Sequence, residues 1–373
     1  MASANSGSTL NVGVIGYGLS ATVFHIPFIT ITSTMKLHSI LQRNPDKSTL
    51  SAPRDHPDVK HFTSLDTFLA DPDLHVVIIT TPPETHFPFA QQALRAGKHV
   101  LVEKPFVPSV SEAEALIALA KETGRMLCVY QNRRWDSDFL TVQKLLAEGK
   151  LGRVVEFETH FDRFRLQKAT TWKGSLGMAQ GGGALYDLGT HLIDQVYVLF
   201  GLPRRVFATL ACQRDGLVSG PQNPELEPDS VTAQLVYDDG MIVFVRIASA
   251  SAEVQQPRFW IRGTKGSYRK NGLDTQEPQL RAGMKTSDAG FGKEGPEWDG
   301  KLTLVGDDGS MREQSCPNVE PQTYSKIYER FGEALVQGAE KDVPVPAEQA
   351  RDVLRIIEAV KESARDRREV ELS

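Results

Sequence analysis

The sequence predicts an α/β protein in which a doubly wound parallel sheet is followed by a second α/β domain. Up to about residue 131, short apolar runs alternate with helical patterns, and beyond it the strands alternate apolar with polar residues. The length of 373 residues is enough for about two domains. We therefore expect one domain over 1–131 and a second domain over 132–373.

The first part contains five short apolar runs that indicate buried strands. They cover 11–16, 36–41, 74–80, 99–102 and 126–130. Helical patterns over 85–95 and 111–122 lie between them, and each is followed by a glycine, as is typical of a helix end. Continuous apolar strands separated by helices predict a parallel sheet that is covered on both faces.

The second part mixes helices with strands of alternating polarity. Helices are predicted over 137–148, 185–200, 324–337 and 347–365, and strands over 154–161, 206–213, 231–237, 241–248 and 258–261. Strands at this spacing indicate an antiparallel or mixed sheet. Residues 273–317 are polar and rich in Gly, Asp and Glu, so we expect long loops or an insertion there.

Composition excludes several classes of protein. With 40% hydrophobic residues, 24% charged residues and a net charge of −5, the chain is an ordinary globular protein and an unpromising nucleic-acid binder. Its three cysteines are far apart, which argues against a disulfide framework or a cysteine-based zinc site. The His56 and His61 pair has no third ligand nearby, so no metal is expected. Without a signal peptide or a long apolar run, we expect a cytoplasmic protein with no membrane partner.

A glycine turn follows the first predicted strand. Gly16 permits the tight turn, Gly18 lets the backbone approach a pyrophosphate, and the small Ala21 allows close packing of helix and strand. Tyr17 and Leu19 occupy the variable positions between them. A turn with this pattern in a strand–turn–helix unit predicts dinucleotide binding.

The end of the second strand indicates which dinucleotide is bound. NAD-binding proteins usually place an acidic residue there for the ribose hydroxyl, whereas this chain has Gln42 followed by Arg43. A guanidinium can hold the 2′-phosphate of NADP, so we expect NADP, with NAD possible. The alternative is that Arg43 is simply a solvated loop charge.

Three residues are candidates for catalysis. Lys104 ends the fourth strand, at the edge where open α/β sheets bind ligands, and is either solvated or directed towards the ligand. Asp187 and His191 are four residues apart on a predicted helix and so share one face. Histidine can exchange a proton with a hydroxyl or ketone near neutral pH, although an ordinary helical Asp–His pair is the alternative.

Taken together, these motifs identify the chain as a member of the Gfo/Idh/MocA family of NAD(P)-dependent oxidoreductases. Besides the glycine turn, the resemblance involves residues 80–86, 96–100, 103–105 and 187–191, and it extends over nearly the whole chain. It implies an NADP-binding Rossmann domain over 1–131, followed over 132–373 by an α/β domain with an open, mostly antiparallel sheet, for substrate binding and oligomerisation. It also implies that Lys104, Asp187 and His191 form the catalytic set.

A closer resemblance to one branch of the family implies more about cofactor and substrate. Residues 16–25, 130–136, 194–195 and 280–283 are similar to the branch of NADP-dependent scyllo-inositol dehydrogenases. This implies NADP and a polyol or sugar substrate. The alternating strands over 206–261 leave a second sheet face that needs a cover, and the family usually pairs through this face, so we expect a homodimer or homotetramer.

The family resemblance and the position of Arg134 at the C-terminal edge of the sheet indicate further neighbours of the cofactor. These residues are Thr81, Pro82, His86, Glu103, Lys104, Arg134 and Trp172. Arg134 reaches either the ligands or a structural ion pair, and Trp172 lies near the nicotinamide or is a packed aromatic.

The sequence therefore predicts an oxidoreductase that transfers a hydride between NADP and a secondary hydroxyl, or the matching ketone, of an inositol-like polyol or sugar. The alternatives are a non-catalytic NADP-binding regulator, a hydrolase relative that regenerates its cofactor, and a reductase of non-sugar carbonyls in a secondary pathway.

Overall fold

The computed structural model describes residues 9–47, 49–168 and 174–372. These residues form two compact units. The first comprises the described residues up to Asn132 together with Tyr324–Arg351. The second comprises Arg133–Thr323 and the described part of the segment from Asp352 onwards. The predicted α/β class is confirmed, with one parallel and one mostly antiparallel sheet.

The first unit is built on a six-stranded parallel sheet with the order β3-β2-β1-β4-β5-β6. Its strands are β1 (Leu10–Ile15), β2 (Met35–Leu41), β3 (Lys60–Phe62), β4 (Val76–Ile79), β5 (His99–Glu103) and β6 (Leu127–Tyr130). All five predicted strands are present, and the short edge strand β3 adds a sixth. Every residue of β4 is fully buried, which explains why this strand is continuously apolar.

Helices surround this parallel sheet. They are a π-helical turn (Ser20–His25), α1 (Ile26–Ile31), α2 (Ala52–Asp55), α3 (Leu65–Leu69), α4 (His86–Arg95) and α5 (Val110–Thr123). The Ser109 side chain caps α5 by accepting a hydrogen bond from the Glu112 amide. Gly124, with φ of 62°, ends it, as predicted.

The second unit contains a ten-stranded sheet with the order β15-β14-β13-β12-β7-β11-β10-β8-β16, and β9 pairs with β8. Its strands are β7 (Val154–Asp162), β8 (Arg205–Cys212), β9 (Leu217–Val218), β10 (Ser230–Val236), β11 (Ile242–Ala248), β12 (Pro257–Gly263), β13 (Gly266–Asn271), β14 (Gly300–Val305), β15 (Met311–Cys316) and β16 (Val370–Glu371). The pairs are antiparallel except β7 with β11, which is parallel.

The helices of the second unit include the candidate catalytic helix. They are α6 (Ser137–Ala147), a π-helical turn (Leu185–Gly189), α7 (Thr190–Phe200) and α8 (Gln276–Arg281). The helix α7 packs against β7 and β11, which places it over one face of the sheet.

Two helices near the chain's end complete the structure. The first unit includes α9 (Ser325–Gln337), and α10 (Ala347–Asp366) begins in the first unit and ends in the second. In the described part of the chain, none of the helices combines the length and apolar character that crossing a membrane requires.

Of the two expectations for 273–317, long loops or an insertion, the first was wrong, because this segment contains α8, β14 and β15. All residues of β15 except Cys316 are exposed, so this edge strand has no apolar alternation for a sequence pattern to reveal. Pairing with β14 over all six residues defines it instead.

Candidate active site

The glycine turn of the first unit has the geometry that a dinucleotide requires. Gly16 has a φ of 95°, and a Cβ there would lie 2.9 Å from both Thr80 Oγ1 and Thr81 Cγ2. A Cβ on Gly18 would meet no atom within 4 Å, so its backbone borders open space. Ala21 is fully buried, as its packing role predicts. The residues present therefore fit a pyrophosphate against the turn and the start of the following helix.

The two variable residues of the glycine turn, Tyr17 and Leu19, have different environments. Tyr17 is buried, and its hydroxyl donates to Asp55 Oδ2 at 3.1 Å. Burial and the Asp55 carboxylate raise the pKa of Tyr17 to about 12. Leu19, by contrast, is 49% exposed. Tyr17 thus links the glycine turn to α2, and Leu19 faces solvent.

Two polar side chains follow β2: the amide of Gln42 is hydrogen-bonded within the described part of the fold, whereas the guanidinium of Arg43 is not. Gln42 Nε2 donates to Leu50 O at 2.6 Å, and Gln42 Oε1 accepts from the Ala52 amide at 2.8 Å. Arg43 is exposed, and its side chain makes no hydrogen bond or ion pair with the residues that the structure describes. The strand end therefore offers a cation where NAD-binding proteins offer a carboxylate.

His86 links the loop after β4 to the loop after β5. The imidazole is 1% exposed; Nε2 lies 2.8 Å from Thr81 O and Nδ1 lies 2.9 Å from Pro105 O. Burial lowers the pKa of His86, against the opposing effect of these carbonyl oxygens. His86 thus clamps the backbone between Thr81 and Pro105, and Pro82 lies in the same loop.

Glu103 lies at the centre of a buried hydrogen-bond network beside Lys104. Its Oε1 accepts from His25 Nε2 at 3.0 Å and from the Ser20 hydroxyl. Its Oε2 accepts from the Lys104 amide at 2.8 Å, and the bond between Lys104 and Pro105 is cis. Although burial alone would raise the pKa of Glu103, His25, Lys104 and Ser20 together lower it to about 2. Glu103 therefore stays ionised and holds the backbone of Lys104.

The same network extends to α9. His25 Nδ1 lies 2.8 Å from the Tyr328 hydroxyl, which also lies 2.9 Å from Phe24 O. Tyr328 stacks on Phe28 of α1 with 5.8 Å between ring centroids. The sequence analysis missed Tyr328, because no local pattern links it to His25, 303 positions earlier in the chain.

Glu227 and the Leu176 carbonyl explain the glycines before the candidate catalytic helix. Its Oε1 accepts from the Met178 amide at 2.6 Å, and burial raises its pKa. Gly183 has a φ of 78°, and a Cβ there would lie 2.7 Å from Glu227 Oε2. A Cβ on Gly182 would lie 2.1 Å from Leu176 O. Larger residues at these two glycines would therefore displace the loop that leads into the helix. No sequence pattern indicated that Glu227 packs against this loop.

The single helix predicted over 185–200 is instead a π-helical turn followed by α7. The π-helical turn carries Asp187, which is half-buried, whereas His191 lies in the first turn of α7 and is 5% exposed. Insertions of this kind recur at functional sites because they redirect side chains.

An ion pair and two hydrogen bonds hold α7 just beyond His191. Arg134 binds Asp194 through two contacts, Nε to Oδ2 at 2.8 Å and Nη2 to Oδ1 at 2.7 Å. Gln195 Nε2 donates to Arg133 O at 2.8 Å, and Gln195 Oε1 accepts from Arg258 at 2.7 Å. Arg134, proposed above as a cofactor neighbour, thus pairs with the catalytic helix, while Trp172 lies outside the described residues.

A cluster of buried carboxyl groups lies in the same unit. Asp138 pairs with Arg258 at 2.8 Å, and Asp136 pairs with Arg133 at 3.2 Å. Burial raises the pKa of Asp274 to about 6, and it raises that of Asp136 well above the usual range.

Among the described residues, His38, Asp71 and Asp73 have side chains close enough to share a metal ion. The ammonium group of Lys60 already lies 2.9 Å from Asp71 and 3.3 Å from Asp73. The arrangement is therefore that of an ion-pair cluster.

Comparison with known proteins agrees with this geometry. Residues 10–131 match the model "Oxidoreductase family, NAD-binding Rossmann fold", and residues 143–372 match "Oxidoreductase family, C-terminal alpha/beta domain". The scyllo-inositol 2-dehydrogenase (NADP(+)) IolW of Bacillus subtilis is 35% identical over 98% of this chain and 96% of its own. The oxidoreductase YdgJ of Escherichia coli is 40% identical over 96% and 97%.

A solved structure, the oxidoreductase yvaA of Bacillus subtilis, superposes with a TM-score of 0.89 at 35% identity, covering 98% of this chain and 99% of that one. The two family models together cover almost the entire chain. The chain therefore belongs to the Gfo/Idh/MocA family and is an NAD(P)-dependent oxidoreductase.

Proposed function

We propose that this enzyme transfers a hydride between NADP and a secondary hydroxyl, or the matching ketone, of an inositol-like polyol or sugar. The observation that carries the proposal is the likeness to an NADP-dependent scyllo-inositol dehydrogenase over 98% of the chain. The presence of Lys104, Asp187 and His191 in the family's motifs supports it.

The chain's own residues would bind the dinucleotide through backbone and charge. The amides at the start of the Ser20–His25 turn would hold the pyrophosphate, since Gly18 leaves space beside them. Thr81 and Pro82 would line the nicotinamide half, held by the His86 clamp. The bound nicotinamide would supply or accept the hydride.

Three side chains would handle the proton and the substrate hydroxyl. His191 would take the proton during oxidation and return it during reduction, because imidazole exchanges protons near neutral pH. The Lys104 ammonium would orient the hydroxyl and stabilise the negative charge that develops on its oxygen. Asp187 would bind the substrate or hold His191 in position.

Arg43 would select NADP by binding its 2′-phosphate. We expect Arg43→Ala to raise the KM for NADP by about 10- to 100-fold, the effect of losing a charged hydrogen bond, and to leave the KM for NAD unchanged. Arg54→Ala is the matched control, because this exposed arginine is already paired with Asp55 at 2.8 Å. Equal changes with both cofactors would contradict the assignment.

A substrate panel tests the reaction itself. Inositols, aldoses and ketones would be offered with NADP or NADPH, and the NADPH absorbance followed. We expect turnover of a polyol with NADP or of its ketone with NADPH, and little turnover with NAD. Tight NADP binding without turnover of any polyol, sugar or ketone would instead identify a cofactor-binding regulator.

A further inference from the structure

One arginine of the second unit lies beside the catalytic helix without a role in the site described above. The alternation along β7 places Phe157, Thr159 and Phe161 on its buried face, and α7 packs against β7 and β11. Arg163 comes directly after β7, and the same alternation predicts its side chain on the face of these three residues. Its amide donates to Ala248 O at 2.8 Å, and the Asp187 charge acts on its guanidinium. Arg163 is thus within electrostatic reach of a candidate catalytic carboxylate.

The Arg163 guanidinium has hydrogen-bonding capacity that the described residues do not use. The residue is half-buried, its Nε is buried without a hydrogen-bond partner, and its side chain forms no ion pair with any residue the structure describes. Burying a donor without an acceptor costs free energy. A ligand with oxygen acceptors would remove that cost.

The charges around Arg163 indicate the kind of ligand. Burial lowers its pKa, Asp187 and Glu277 act to raise it, and Arg165 and Arg214 act to lower it. Arg214 is itself paired with Asp229 at 3.4 Å. Glu277 is paired with Arg133 and Arg281, so Asp187 is the carboxylate that offsets the charge of Arg163, while the exposed Arg165 is solvated. A guanidinium whose charge is already offset fits neutral oxygen acceptors better than an anion.

We propose that Arg163 is a substrate-recognition residue that donates hydrogen bonds to two neighbouring hydroxyl oxygens of a polyol. The inference rests on the proposed function and narrows it to substrates with hydroxyls beside the reacting carbon. The planar guanidinium presents paired donors that match two adjacent oxygens. A substrate without them leaves these donors unpaired and is rejected.

The test compares Arg163→Gln with Arg165→Gln. Arg165 is the matched control, because it is an exposed arginine two residues away whose side chain makes no hydrogen bond or ion pair with the described residues. NADPH-loaded protein, which cannot oxidise a hydroxyl, would be titrated calorimetrically with scyllo-inositol, cyclohexanol and glucuronate, and kcat/KM for the oxidation of each would be measured separately with NADP. NADPH affinity is measured separately for every variant.

We expect Arg163→Gln to weaken inositol binding and lower its kcat/KM by about 10- to 100-fold, the usual effect of losing hydrogen bonds to a charged group. NADPH affinity and the response to cyclohexanol should not change, Arg163→Lys should recover part of the loss, and Arg165→Gln should behave like the wild type.

Three outcomes would overturn the inference alone. They are unchanged inositol binding in Arg163→Gln, an equal loss in Arg165→Gln, and a wild-type preference for glucuronate that disappears in Arg163→Gln. The last would mean that Arg163 binds an oxyanion. A wild-type protein that binds NADPH but none of the hydroxyl compounds would refute the proposed function and this inference together.

Discussion

Replacing Glu103 with glutamine tests the buried network that holds Lys104. An amide has only one oxygen, so it cannot accept from His25 and Ser20 on one side and from the Lys104 amide on the other. Its NH₂ group would face a donor instead. We therefore expect Glu103→Gln to destabilise the fold and to displace the backbone of Lys104.

The size of the effect follows from the pKa of Glu103. Against burial, His25, Lys104 and Ser20 lower that pKa from 4.5 to about 2. Each tenfold change in proton affinity corresponds to about 1.4 kcal/mol, so the network stabilises the ionised carboxylate by about 3 kcal/mol. Because Glu103 is only 8% exposed, solvent screening reduces this little.

The assay is urea unfolding across a pH series. A lowered pKa contributes its full stability above the unfolded-state value of 4.5 and loses it as the pH falls towards about 2. The difference in unfolding free energy between wild type and Glu103→Gln should therefore be about 3 kcal/mol at neutral pH and shrink by about 1.4 kcal/mol for each pH unit below 4.5. Glu84→Gln, at an exposed position, is the control. A neutral-pH difference as small as that control's, or one that does not change with pH, would refute the reasoning.

Three further predictions concern the second unit. Asp194→Asn breaks a buried ion pair with Arg134 and should lower the unfolding free energy by about 3–5 kcal/mol. Asp238→Asn breaks an exposed pair with Arg204 and should lower it by less than about 1 kcal/mol. Equal losses for the two variants in urea unfolding would contradict this. Burial raises the pKa of Asp274 to about 6, so the contribution of the protonated carboxyl to stability is lost as the pH rises from about 4 to about 6. Asp274→Asn should therefore reduce the fall of unfolding free energy over this pH range. An unchanged fall would exclude this role of Asp274. We also expect a homodimer or homotetramer formed through the outer sheet face, where Phe207 and Trp260 are exposed; light scattering that returns a 41.2 kDa particle would contradict it.

The sequence predicted the first unit well because burial makes its strands continuously apolar. Val76–Ile79 illustrates this, since all four residues are buried by neighbouring strands and helices. The glycine turn was equally predictable, because the positive φ of Gly16 and the closeness of Thr80 and Thr81 require a glycine at that position. Such features are indicated by few residues that are close together in the chain.

Other features depend on contacts that no local pattern contains. The polar edge strand β15 is defined by its partner β14. The role of Tyr328 depends on His25, and that of Glu227 on glycines about 45–50 positions away. For Arg134, the sequence left a ligand contact and an ion pair open, and only the folded structure brings Asp194 within 2.7 Å.

The most direct test of the proposed chemistry is turnover by His191→Ala. NADPH formation from NADP and the best polyol of the panel would be followed, alongside calorimetric titration of NADP. We expect kcat to fall by about 10²- to 10⁴-fold, the usual contribution of a general acid/base, while the Kd for NADP changes little. An undiminished kcat, or a loss that is explained entirely by weaker NADP binding, would contradict it.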